Sequence, residues 1–159
     1  MPKQSAGILL FRFELSDSGS ADNIKFFLVH PGGPFHKNRD IGAWSIPKGE
    51  FDNPEEPLKA ALREFEEETG TKLEDNLKFI ELTPVTQKAG KIVHAWACES
   101  DMDAEKIISN KFPFEFPPKS GKFIEIPEID RGEWFDTVTA KIKINPAQVK
   151  LIEELKTKI

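Results

Sequence analysis

Residues 49–71, GEFDNPEEPLKAALREFEEETGT, constrain this chain more than any other stretch. Read as a helix from about Glu55 to Thr69, they place Leu58, Ala61, Leu62, Phe65 and Thr69 on one stripe at i, i+3, i+4, i+7 spacing. That is the pattern of a face that packs on a core. Glu64, Glu67 and Glu68 fall together on a different face, within about one turn of each other. Carboxylates that close repel, each pair by roughly a few tenths of a kcal/mol on a bare helix. A divalent cation would turn the repulsion into a binding site, because hard cations such as magnesium take carboxylate oxygens, waters and substrate phosphates. A solvated acidic helix face is the alternative reading of the same spacing.

Local signals bound this helix. Asn53 is placed to cap it and Pro54 to occupy its first position, with Glu55 and Glu56 at the positive end of its dipole. Gly70 ends it. Arg63 lies one turn before Glu67 and can hold that carboxylate in a fixed rotamer, or form a plain surface ion pair. Upstream, residues 43–47 (AWSIP) read as a short strand delivering Lys48, Gly49 and Glu50, and Gly49 lets the backbone come close to a ligand.

The remainder reads as one domain, residues 1–159, with 38% hydrophobic residues for its core. Strands are expected over 5–15 and 24–30, joined by a polar tip over 16–23, and over 77–86, broken at Pro84, and 92–99. His94 reads as a satisfied, partly buried histidine, Lys88 and Lys91 as solvated turn residues, and the lone Cys98 as a small buried hydrophobe that excludes an internal disulfide. Residues 31–42 form either an ordinary surface loop or a flap. As a flap, its His36, Lys37 and Arg39 would meet a polyphosphate while Phe35 or Trp44 stacks a base. Residues 101–122 are the least regular. Their Phe112, Phe114 and Phe116 either cover a flank of the core or form a base-stacking, substrate-selecting loop. A strand over 123–126 follows, and Asn145 and Pro146 open a last helix with Val149, Ile152, Leu155 and Ile159 on one face.

A net charge of −5 argues against a nucleic-acid polymer as a general partner, so a phosphate-rich substrate must be met by local cations. The apolar run over residues 6–11 is too short for a signal segment or a membrane span, so no membrane partner and a cytoplasmic location are expected. Nothing in the residues points to an oligomeric state.

Gly49, five residues, Glu55, seven residues, then Arg63-Glu64-Phe65-Glu66-Glu67-Glu68-Thr69-Gly70 resembles the Nudix box, G-x5-E-x7-R-E-U-x-E-E-x-G-U with U bulky and apolar. All seven fixed residues are present. At roughly 5–10% usage for each, a chance match in one window is on the order of 10⁻⁸. Two positions depart mildly: U is aromatic at Phe65, and Thr71 replaces an apolar residue. The resemblance implies an α/β fold, an α/β/α sandwich around a mixed sheet, with the box as a loop and helix. It also implies hydrolysis of a nucleoside diphosphate linked to another group, with magnesium or manganese. By position in the motif, Glu64, Glu67 and Glu68 correspond to metal ligands, Gly49 to a backbone carbonyl near the metal, and Glu55 to a support of the loop. A further acid from outside the box is expected among Glu125, Glu128 and Glu133. The segment PEIDRGEWF looks like the piece before the family's late Trp-containing strand, so Glu128 is the first choice and Glu125 the second.

The chemistry agrees. A diphosphate repels an attacking water, a metal neutralises its oxygens and acidifies that water, and a carboxylate, Glu67 or Glu128, accepts the proton. Lys48, Arg39 and Lys37 are the clamps for distal phosphates. The approach W-S-I-P-K-G-E looks like the dinucleoside polyphosphate and diphosphoinositol polyphosphate branches, and the chain has no tyrosine for stacking. A nucleoside or dinucleoside polyphosphate, of the diadenosine type, is the expected substrate. A nucleotide-sanitising triphosphate pyrophosphohydrolase is the alternative. A non-catalytic ligand-sensing or scaffold module would be expected to lose box carboxylates, and this chain keeps them.

Overall fold

The computed structural model describes residues 2–14, 23–74 and 76–159. Its centre is strand β1 (Gln4–Phe13), whose Ala6, Ile8, Leu9, Leu10 and Phe11 are all buried. An uninterrupted apolar run belongs in a strand covered on both faces. Ile8 and Leu10 enter one core cluster, and Leu9 and Phe11 enter the other. β1 pairs in parallel with β5 (Ile92–Glu99) and antiparallel with β2 (Ile24–Pro31), and its first residues also pair with β3 (Lys48–Glu50). β4 (Phe79–Thr86) lies outside β5, and β8 (Ile129–Asp136) lies outside β2. The sheet is therefore mixed, in the order β4-β5-β1-β2-β8 with β3 alongside β1.

Helix α1 (Pro57–Thr69) covers one face through Ala60, Ala61 and Phe65, while Leu58 and Leu62 pack half-buried at its edge. Helices α2 (Thr137–Lys143) and α3 (Val149–Lys158) cover the other through Ala140, Leu151, Ile152 and Leu155. The architecture is the expected α/β/α sandwich.

Several details differ. α1 starts at Pro57, not near Glu55. A helix opening at Pro54 would need the N–H of residue 57 for its first hydrogen bond, and proline has none. Proline also forces its predecessor extended: Glu56 has φ −72° and ψ 139°, and it provides no side-chain cap. Asn53 and Pro54 therefore lie in the loop. Residues 43–47 form only single bridges, Ser45 to Val29 and Trp44 to Ile144. Pro84 sits inside β4 at a register shift between Leu82 and Val85, which accommodates its missing donor. Asn145 caps a short 3-10 turn that precedes α3, and Ile159 is 49% exposed, off the core stripe. The expected irregular region holds a hairpin, β6 (Lys111–Glu115) with β7 (Phe123–Pro127), as a separate two-stranded sheet. Residues 16–22 of the expected polar tip lie outside the described residues. Cys98 is buried, and His94 bonds Gln4 through Nε2 at 2.7 Å, as expected. Lys91 is not solvated: its Nζ sits 2.9 Å from Glu50. No helix among the described residues is long and apolar enough to cross a membrane.

Candidate active site

β3 hangs from the start of β1 with Gly49 opposite Ala6, and this brings the Gly49 backbone against α1. A Cβ on residue 49 would overlap the Glu64 carboxyl, so only glycine leaves that side chain where it stands. Glu64 is buried at 7% exposure despite its charge. Burial raises its pKa, and the adjacent Arg63 offsets only part of that shift.

Arg63 holds three carboxylates. It forks onto Glu55 (Nε to Oε2 and Nη2 to Oε1, both 2.9 Å), and its Nη1 reaches Glu64 at 2.8 Å and Glu67 at 3.3 Å. This contact to Glu67 is the one expected of it, and the fork to Glu55 ties the loop before α1 to the helix. The same contacts raise the Arg63 pKa, the Glu55 bonds contributing most.

Glu68 turns the other way. Its Oε2 accepts the Lys48 backbone N–H at 3.0 Å, and with Lys48 and Glu128 it lines a cavity of about 150 Å³ walled by Val29, Ser45 and Ile46. Burial pushes Glu68 up to about 8, with the charges of Glu128 and Glu64 adding to the shift. Glu128 is exposed at the mouth, and the protein packed around it, then Glu67, raises its pKa. The Lys48 ammonium is shifted down, first by burial and then by Lys91. Negative charge is thus crowded beyond what the local cations balance.

As the side chains stand, no three of these acids converge on one point among the described residues, because Arg63 and the Lys48 N–H each hold one or more of them. The donor set nevertheless suits a hard divalent ion. It is all oxygen, Glu64, Glu68 and Glu128 all resist ionising, and the Gly49 backbone lies against the Glu64 carboxyl.

The outside acids separate clearly. Glu128 faces the cavity, whereas Glu125 is exposed on β7 opposite Pro113. Glu133 lies on β8 opposite Leu28. Of the expected substrate contacts, Lys48 lines the cavity, while Lys37, Arg39 and Phe35 are exposed on the flap. Trp44 is a correction. It is 1% exposed, donates Nε1–H to Asp40 at 2.8 Å and packs edge-on against Phe135, so its ring belongs to the core and cannot stack a base.

Two residues that shape this site carry no local sequence signal. His30, fully buried on β2, places Nδ1 2.9 Å from Asp130 Oδ1 and Nε2 2.6 Å from the Arg39 carbonyl. It fastens the 31–42 loop to β8, two residues along the chain from Glu128. Asn110 accepts the Glu128 N–H at 2.8 Å, and Gly32 donates its N–H to the Glu128 carbonyl at 3.0 Å. Glu128 is therefore held by its backbone between flap and hairpin.

The family model of the NUDIX domain matches residues 1–155, and the chain belongs to the Nudix family and is a Nudix-type pyrophosphohydrolase. It is 31% identical over 116 residues to the asymmetrical bis(5'-nucleosyl)-tetraphosphatase of Rattus norvegicus, covering 70% of this chain and 75% of that one. It is likewise 31% identical over 125 residues to an RNA pyrophosphohydrolase of Brucella anthropi, covering 70% and 67%. Its fold matches a binary complex of the C. elegans Ap4A hydrolase with a TM-score of 0.65 at 20% identity, covering 97% of this chain and 96% of that one. Nudix hydrolases generally use divalent metals.

Proposed function

We propose that this protein hydrolyses a diphosphate linkage in a dinucleoside polyphosphate of the diadenosine type, with magnesium or manganese. Glu64, Glu67, Glu68 and Glu128, with the Gly49 backbone, would hold the cation. When bound, it would neutralise phosphate oxygens and acidify the attacking water. The protein groups divide the remaining work. Lys48, Lys37 and Arg39 bind and orient the phosphate chain. Arg63 keeps Glu67 and Glu64 apart and in place. Glu128, or Glu67 beside Arg63, takes the proton from water. The observation that carries this reading is the meeting of Lys48, Glu68 and Glu128 around one cavity beside the box. The likeness to the rat tetraphosphatase supports the substrate class. We place the reaction in the cytoplasm and assign residues 1–159 to a single domain.

The likeness to an RNA pyrophosphohydrolase favours one second reading, removal of diphosphate from a 5'-triphosphate end. Purified protein with magnesium should be screened against dinucleoside tetraphosphates, 5'-triphosphate RNA, normal and oxidised nucleoside triphosphates, nucleotide sugars and inositol pyrophosphates. The highest kcat/KM is expected for a dinucleoside tetraphosphate. A higher value for any other class would replace this substrate assignment.

A further inference from the structure

Glu128 is the single residue between β7 and β8, and its side chain is exposed at the cavity mouth, so packing does not set its direction. Its aim depends on how its backbone is held. One side of that grip is a strap, residues 107–110, which crosses the C-terminal end of α1. The Ile108 N–H donates to the Thr69 carbonyl at 3.0 Å, and the Asn110 N–H donates to the Glu67 carbonyl at 3.2 Å. The last carbonyls of a helix have no partner within it, and the strap satisfies two of them. A Cβ on Gly70 would lie 2.9 Å from the Ile108 carbonyl oxygen, so the strap is pressed onto the helix end.

The same strap holds Glu128. The Asn110 carbonyl accepts the Glu128 N–H at 2.8 Å, and Ser109 Oγ accepts the next amide, that of Ile129, at 3.1 Å. The Ser109 hydroxyl donates in turn to the Asn110 carbonyl at 3.2 Å. Asn110 thus carries the box acid Glu67 on its N–H and the outside acid Glu128 on its carbonyl. Ile108 is 76% exposed, so hydrogen bonds rather than apolar burial hold the strap at this point. The bonds of Asn110 are made by its backbone, whereas those of Ser109 are made by a side chain and depend on the residue type.

We infer that Ser109 is a positioning residue for the reaction: through the Ile129 amide and the Asn110 carbonyl it fixes the Glu128 carboxylate relative to Glu67 at the end of α1. This rests on the role given to Glu128 above and deepens it, since it names what aims an acid that packing leaves loose. A hydroxyl is suited to the task because it accepts from Ile129 and donates to Asn110 at once. Alanine at 109 would leave the Ile129 amide without its partner. The harm falls on the orientation of a reacting group, and so on kcat, rather than on substrate binding.

The test compares Ser109→Ala, Ser109→Thr, Glu128→Gln and the Ser109→Ala, Glu128→Gln double variant, with magnesium and the best substrate of the screen above. Ser109→Ala should lower kcat roughly 3- to 10-fold, the scale of one hydrogen bond, with KM within about twofold. Ser109→Thr keeps the donor and the acceptor and should stay within about twofold of the wild type. In the Glu128→Gln background Ser109→Ala should cost no further activity, because residues that act through one another are not additive. A second readout needs no turnover. Amide hydrogen exchange in the metal-free protein should quicken at Glu128 and Ile129 in Ser109→Ala and stay unchanged in β1. Wild-type kcat in Ser109→Ala, an equal loss in Ser109→Thr, a full further loss in the double variant, or unchanged exchange at Ile129 would overturn the positioning role. Wild-type kcat in Glu128→Gln would instead overturn the role of Glu128 itself, and that of Ser109 with it.

Discussion

The box helix lines the cavity through Glu68, the β6–β7 hairpin ends just before the cavity residue Glu128, and the two are built in opposite ways. α1 presses charged groups against a core: Glu64 is 7% exposed, and Glu68 is pushed up to about 8. The hairpin leaves Phe112 and Phe116 at 37% and 38% exposure. Buried carboxylates and exposed aromatic rings are both unfavourable placements in isolation. A bound cation would relieve the first, and an apolar ligand surface the second. Chemistry should therefore fail with changes in α1, and preference among substrates should fail with changes in the hairpin.

The largest effect is expected at Glu67. Glu67→Gln keeps the shape of the side chain and should melt like the wild type, yet lose magnesium-dependent activity by several hundred-fold, on the order of removing one strong charge-stabilising group. A purified, folded variant that retained activity would remove Glu67 from the mechanism. The next effect separates two acids close in sequence. Glu128→Gln should reduce kcat about 100-fold, as expected for a group that moves a proton, and Glu125→Gln less than about threefold. The reverse ranking would transfer the role to Glu125.

A smaller effect appears in stability. An unfolded glutamate ionises near 4.5, whereas folded Glu68 holds its proton up to about 8. Between those values the native state binds a proton that the unfolded state has released, so stability falls as pH rises through this window. Metal-free Glu68→Gln lacks that fall. It should match the wild type near pH 4 and exceed it by roughly 1–3 kcal/mol near pH 7.5. Urea melts that run parallel across the range would show that Glu68 is not held protonated by its burial.

The contrast also explains what the sequence disclosed. The box was legible because every fixed residue sits at its spacing within one helix, and β1, β5 and the face of α3 followed from apolar runs and periodicity. The start of α1 was misplaced by weighing Pro54 over Pro57, although the missing N–H at 57 settles it. The hairpin was hidden by Pro113, Pro117 and Pro118, even though Phe112, Phe114 and Phe116 recur with the period of a strand. α2 is seven residues long, too short for a periodic signal, and its visible cue was the Asp136 cap that accepts the Thr139 N–H. Trp44 read as a stacking ring because its local sequence does not reveal that it packs into the core between the sheet and the C-terminal helices. The His30 bond to Asp130 joins residues 100 positions apart, which no local pattern can show.

Manganese binding, followed by the electron paramagnetic resonance signal of the free ion, tests the central claim most directly. With a non-hydrolysable dinucleotide analogue present, the wild-type protein should deplete the signal, and a Glu64→Gln, Glu67→Gln, Glu68→Gln triple variant that still melts cooperatively should leave it unchanged. Equal depletion by the two proteins would contradict the account, since the ion would then be held somewhere other than the acidic turn of α1.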